Sequence, residues 1–198
     1  GLLENAQLVC NMIPFKDVIS LTTLISGYAE HGQGKDALGC FRRMFLEGIF
    51  PNLITFICSL KACGSIGAIR KGLEIHAGIE GLELPEQDIA ASTSLIDMYA
   101  KCGSLEKAKE VLYGLGNRDV VAWNALIVGY TEHGHHEEVL KHLEQMQLEG
   151  VSPDSVTLVS TLRACLRMGA FVKGQEIQAE IERNGFLERE RGTGNVLV

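Results

Sequence analysis

The residues best placed to do chemistry in this chain are histidines. His133, His135, His136 and His142 fall within ten residues, and His135-x-Glu137 and His142-x-Glu144 each match the opening of a zinc deaminase signature. That chemistry needs a bound zinc to activate water, a glutamate to move the proton, and a Pro-Cys-x-x-Cys element to complete the ligand set. None of the six cysteines (Cys10, Cys40, Cys58, Cys63, Cys102, Cys165) forms a Cys-x-x-Cys pair, so no metal site is expected. The region also lines up with His31-Gly32-Gln33-Gly34 earlier in the chain, which reads as a solvated turn between helices. Cys63 and Cys165 occupy matching places and read as packing residues rather than nucleophiles. Gly192-Thr193-Gly194 is short and follows no strand, so a phosphate loop is not expected. No catalytic constellation and no cofactor site emerges, which leaves an enzyme as the third choice behind two kinds of binding protein.

Composition narrows these choices. A chain of 198 residues that is 46% hydrophobic, with mean hydropathy +0.11, can bury a core and should fold. Four prolines against 22 glycines fit short helices separated by tight turns. The formal charge of −7 and pI near 5.4 argue against a protein that coats nucleic acid through many phosphate contacts. Charge alone would suggest a protein-interaction scaffold. The cysteine pattern is not that of a small secreted domain, and reduced thiols are expected. No run approaches the roughly 18 apolar residues of a membrane span, so no membrane partner is expected. The first residues read as the middle of a repeat and show no signal pattern, which is compatible with an address upstream of Gly1.

The elements that would position any site follow from an internal repeat. ISGYAEHG from Ile25 returns as IVGYTEHG from Ile127, LKACGSIGA from Leu60 as LRACLRMGA from Leu162, and KGLEIHAGIE from Lys71 as KGQEIQAEIE from Lys173, each 102 residues on. Within that period lie units at Val18 to Asn52, Leu53 to Asp88, Ile89 to Asp119, Val120 to Asp154 and Ser155 to Glu190, with lengths of 35, 36, 31, 35 and 36. Residues 1–17 read as the second half of a short unit and 191–198 as the start of another. In the first unit Leu21, Leu24, Ile25, Tyr28 and Ala29 recur at helical spacing, and Ala37, Leu38, Phe41, Met44 and Phe45 form a second stripe ended by Gly48 and Pro51. Each unit is therefore expected to be a helical hairpin, and hairpins of this size must stack to bury their apolar faces.

Whole units also resemble a known family. VVAWNALIVGYTEHGHHEEVLKHLEQMQLEGVSPD (120–154) closely resembles a pentatricopeptide repeat, LIDMYAKCGSLEKAKEVL (95–112) is similar to the family's short repeat, and SVTLVSTLRACLRMGAFVKGQEIQAEIERNGF from Ser155 resembles its long variant. The alternation of P, L and S types is that of the plant organellar subclass. The resemblance implies an all-α fold, a right-handed α-α superhelix of stacked hairpins. It also implies binding of single-stranded RNA in mitochondria or chloroplasts, specification of cytidine-to-uridine editing or other RNA-processing sites, and editing or processing proteins as partners.

In that family, a side chain four residues after the repeat start and one at its end together choose a base. Here these are Thr22 with Asn52, Thr93 with Asp119, and Asn124 with Asp154, and Asn195 would begin the next pair. The family's pairing rule assigns them A, G and U, giving 5′-A-n-G-U-n-3′. The long units put Ile57 and Val159 at the first position and Gln87-Asp88 and Glu190 near the second, and an aliphatic side chain offers a base edge no hydrogen bond. The family stacks bases on an aliphatic residue one place after the repeat start, filled by Ile19, Val121 and the smaller Ala90. Lys101, Arg42, Arg43, Arg163 and Arg167 are candidates for phosphate contact or for simple solvation. On their own chemistry, Thr, Asn and Asp at these places are equally turn or cap residues. The alternative to RNA reading is a tetratricopeptide-like protein scaffold, favoured by charge and disfavoured by the unit lengths.

Overall fold

The structure, a computed structural model, describes residues 17–81 and 88–183. Among them are ten α-helices: α1 (Val18–Glu30), α2 (Gly34–Leu46), α3 (Leu53–Ser65), α4 (Ile69–Glu80), α5 (Ile89–Lys101), α6 (Leu105–Gly114), α7 (Val120–Glu132), α8 (His136–Leu148), α9 (Ser155–Met168) and α10 (Phe171–Arg183). The fold is all-α, as expected. The partial unit at 1–17, apart from Asp17, and that at 191–198 lie outside the described residues, as do Asn195, Gln87 and Glu190.

Each hairpin turns on a glycine. In α1 the cap His31 is followed by Gly32 at φ +72°, where Gln33 N–H reaches back to Tyr28 O (2.8 Å) and Gly32 N–H to Ala29 O (3.3 Å). The copy at Gly134 (φ +79°) repeats both bonds, to Tyr130 and Thr131. A residue with a Cβ resists this left-handed conformation, and the paired bonds satisfy carbonyls that the helix end would leave orphaned. Gly34, read from sequence as part of the break, is instead the first residue of α2 and is buried against the end of α3. The short unit is short because α6 has 10 residues where α2 and α8 have 13.

The chain divides into two compact units, residues 1–116 and 117–198. In the first, α1, α3 and α5 stack side by side, and each second helix packs on the first helix of its own hairpin; α2 and α4 also touch the first helix of the next hairpin. Leu21, Ile25, Met44, Leu60, Ile75, Ile96, Met98 and Leu112 are at most 1% exposed. Each such side chain contributes about 1.5–3 kcal/mol on burial, which a lone hairpin would forgo. In the second unit α7 stacks on α9, and Leu143, Leu158, Cys165, Ile177 and Ile181 form a cluster joining α8, α9 and α10. Phe45, placed in the apolar stripe by its spacing, is 56% exposed. It packs edge-on to Phe41 (5.2 Å between centroids) at the lip of an open pocket rather than inside the core.

Candidate nucleic-acid interface

The residues preceding the first helices all do the same local job. Asp17, Asn52, Asp88, Asp119 and Asp154 are N-caps of α1, α3, α5, α7 and α9, each accepting the backbone N–H three residues on. Such a cap is worth about 1 kcal/mol against alanine. At Asp17 the Ser20 hydroxyl and backbone N–H hold the carboxyl below its ordinary pKa. By contrast Gln33, Ala68, Ser104 and His135, ahead of α2, α4, α6 and α8, make no side-chain cap bond. The cap chemistry open to Asn52, Asp119 and Asp154 in the sequence is thus what they perform. It does not exhaust them, because a carboxylate has about four acceptor sites and the Asn52 amide also carries two N–H donors.

Two of the expected reader pairs meet. Asn124 Nδ2 donates to Asp154 Oδ1 and Oδ2 at 3.0 and 2.9 Å, and Asn124 Oδ1 accepts from the Thr157 hydroxyl at 2.5 Å. Thr22 and Asn52 are joined through Thr55, whose hydroxyl lies 2.7 Å from Thr22 Oγ1 and donates to Asn52 Oδ1 at 2.9 Å. Thr22 and Asn124 do not stand open to solvent. Each is 8% exposed, because the capped start of the next helix closes over it. Thr93 is half-buried, and its hydroxyl has no hydrogen-bond partner among the described residues. Thr55 and Thr157 were not singled out in the sequence, although Asn52-x-x-Thr55 and Asp154-x-x-Thr157 carry capping-box spacing.

Beside these junctions each compact unit exposes aliphatic side chains at the second place of its first helices. Ile19 is 69% and Val121 55% exposed, and Ala90 is also exposed. Ile54 (61%) and Val156 (47%) hold the same place in the long units, two members that register alone could have found. At the long units' first reading position Ile57 is half-buried and Val159 exposed.

A sequence model of the PPR repeat family matches residues 16–65 and 118–167, together half of the chain, and a single PPR repeat matches residues 91–119. The chain belongs to the pentatricopeptide repeat family. A pentatricopeptide repeat-containing protein of Arabidopsis thaliana is 37% identical over 182 residues, covering 91% of this chain and 36% of the relative. Another from the same plant, named as chloroplastic, is 35% identical across the whole chain and covers 32% of itself. The chain therefore spans about a third of the length of these relatives. Among solved structures, the pentatricopeptide repeat protein PPR10 in complex with an 18-nt psaJ RNA element superposes with TM-score 0.73 at 19% identity, over 89% of this chain and 27% of that one. That likeness establishes a shared solenoid fold.

On this pentatricopeptide scaffold the first helices carry Lys61, Lys101, Arg163 and Arg167 against Glu30, Asp97 and Glu132. Lys101 pairs with Asp97 at 2.7 Å. Arg42 and Arg43 lie on α2, a second helix, where Arg43 pairs with Glu47 at 2.6 Å. The histidines separate: His133 and His135 are exposed at the hairpin turn, whereas His142 is 4% exposed between the rings of Tyr130 (4.9 Å) and Trp123 (6.1 Å). No group of three His, Cys, Asp or Glu among the described residues could hold a metal. Cys63 and Cys165 are buried in α3 and α9, and burial pushes the Cys63 thiol up to about 12. No described helix is long and apolar enough to cross a membrane.

Proposed function

We propose that this chain is a segment of an RNA reader in which each hairpin takes one base of a single strand, in the order 5′-A-n-G-U-n-3′ parallel to the chain. One observation carries the reading. Side chains about thirty residues apart converge at a hairpin junction twice, as Thr22–Thr55–Asn52 and as Asn124–Asp154–Thr157, each with an exposed aliphatic residue at the start of the same first helix. Short polar groups suit recognition of a base edge, and an aliphatic surface suits its face. The readers are nearly covered, so they act through valences the protein leaves over: one Nδ2–H and one Oδ1 lone pair at Asn124. RNA bound by PPR10 supports the same partner here. The alternation of P, L and S types further supports membership of the plant organellar subclass, acting in mitochondria or chloroplasts to mark sites of cytidine-to-uridine editing or other processing. The chemistry would come from another domain or from partner proteins.

Filter binding of the designed 5′-A-n-G-U-n-3′ strand against its scramble tests this directly. Each read base is expected to discriminate by roughly 1–3 kcal/mol, taking the figure for base contacts in duplex DNA. Asn124→Thr is expected to move the preference at the fourth base from U toward G. Equal binding of strand and scramble would sink the reading.

A protein-interaction scaffold is the second reading, and one feature favours it. Phe41, Phe45, Phe50, Pro51 and Phe56 line an open pocket of about 450 Å³ in the first compact unit, with Phe50 87% exposed. A scaffold would bind neither RNA strand preferentially.

A further inference from the structure

We propose that Thr157, third residue of the hairpin that follows the reader, is a positioning residue that sets which donor and acceptor Asn124 offers to a base, and that Thr55 holds Thr22 at the equivalent place. The inference rests on the RNA reading above and adds a third side chain, from the neighbouring hairpin, to each reader pair.

The hydrogen bonds at Asn124 leave little freedom. An ionised carboxylate only accepts, so the Asp154 oxygens, 3.0 and 2.9 Å away, require Nδ2 rather than Oδ1 to face them. Thr157 Oγ1 accepts from Asp154 N–H at 3.2 Å and has a single proton to give. Its two acceptors are Asn124 Oδ1 at 2.5 Å and Asp154 Oδ1 at 3.1 Å, and the shorter bond takes the proton. The amide is thus held on its nitrogen by the cap and on its oxygen by the threonine. What remains for a base is one donor and one acceptor in fixed order, the complement of the N3–H and O4 edge of uracil and the reverse of what cytosine requires.

The same device recurs 102 residues earlier with a different outcome. Thr55 Oγ1 accepts from Asn52 N–H at 3.3 Å and donates to Asn52 Oδ1 at 2.9 Å, an oxygen that also accepts Thr55 N–H at 2.9 Å. That single proton is shared between Asn52 Oδ1 and Thr22 Oγ1, 2.7 Å away, where either hydroxyl can donate, and in both arrangements Thr22 Oγ1 keeps a lone pair for a base. An acceptor suits the exocyclic amino group of adenine. Both threonines are fully buried, so no base reaches them and any effect they have must pass through the reader.

The experiment compares wild type, Thr157→Val and Thr157→Ser against four strands that differ only at the base assigned to Asn124, with thermal unfolding of each protein recorded alongside. Valine keeps the shape and removes the hydroxyl, and the Asp154 cap on the backbone N–H of residue 157 does not depend on it. The ratio of U to C affinity is expected to fall about threefold or more in Thr157→Val, the scale of one net hydrogen bond, and to return in Thr157→Ser. A uniform loss across all four strands, or a U-to-C ratio in Thr157→Val equal to that of wild type, overturns the positioning role and leaves the RNA reading standing. A wild-type protein indifferent to the four strands overturns the reading itself, and the positioning role with it.

Discussion

His76 illustrates how much a single residue's surroundings decide. It is half-buried on α4, with Nδ1 2.7 Å from the Tyr99 hydroxyl and Nε2 3.7 Å from Glu80. Burial lowers its pKa below 6.5, Glu80 opposes the shift, and Lys107 adds to it. The sign of the linkage follows: the unfolded chain takes up this proton first, so stability is lost as pH falls below about 6.5. The carboxylates held low, Asp17 and Glu149, contribute stability at neutral pH and lose it only below the ordinary carboxylate range, so the two effects occupy separate windows. The melting temperature of wild type is expected to drop between about pH 7 and pH 5, and that of His76→Gln to drop less. Identical slopes would remove His76 from the account. Nothing in the sequence distinguished this histidine from those at the turn, because burial and the Tyr99 contact arise between hairpins. The proposed readers differ: register named Asn124 and Asp154, whereas Thr157 belongs to the following unit and its spacing from Asp154 signals a capping box, not its contact with Asn124.

At the scale of helices the legible part is what repeats. Helix starts, the glycine turns and the buried stripes follow from capping residues, φ-permissive glycines and apolar spacing, all local properties. Less legible is which element meets which, and Gly72 and Gly174 show why. They occupy the same place in α4 and α10, 102 residues apart, and look equivalent in the sequence. A Cβ on Gly72 would overlap the Met98 side chain, lying 2.7 Å from Cε, whereas one on Gly174 would meet Cys165 Cβ at 3.6 Å in ordinary contact. Alanine in a helix interior gains about 1 kcal/mol over glycine when nothing obstructs it. Gly174→Ala is therefore expected to raise stability by up to about 1 kcal/mol, and Gly72→Ala to forfeit that gain or reverse it, because the flexible but fully buried end of Met98 must move aside. Chemical denaturation of the two variants checks this, and an equal gain in both would refute the contact.

For the whole molecule the question is how a chain of net charge −7 could hold a polyanion. Much of the acidity is already assigned to structure, since four of the five first-helix caps are aspartates, Asp17, Asp88, Asp119 and Asp154. The first helices themselves are close to neutral, with four cations against three carboxylates, one of each engaged in the Lys101–Asp97 pair. A strand read along those helices would meet few phosphate partners, so affinity must come from bases rather than backbone. Salt dependence measures that division. Each phosphate contact on a single strand contributes a slope of about −0.7 in log affinity against log salt concentration. If Lys61, Lys101, Arg163 and Arg167 all engage, the slope for the designed strand should be no steeper than about −3, and discrimination against the scramble should survive rising salt. A slope steeper than about −4 would mean that further cations contact the backbone. Arg42, Arg43 and Arg70 on the second helices are candidates, and their engagement would place RNA off the first helices that carry the proposed readers.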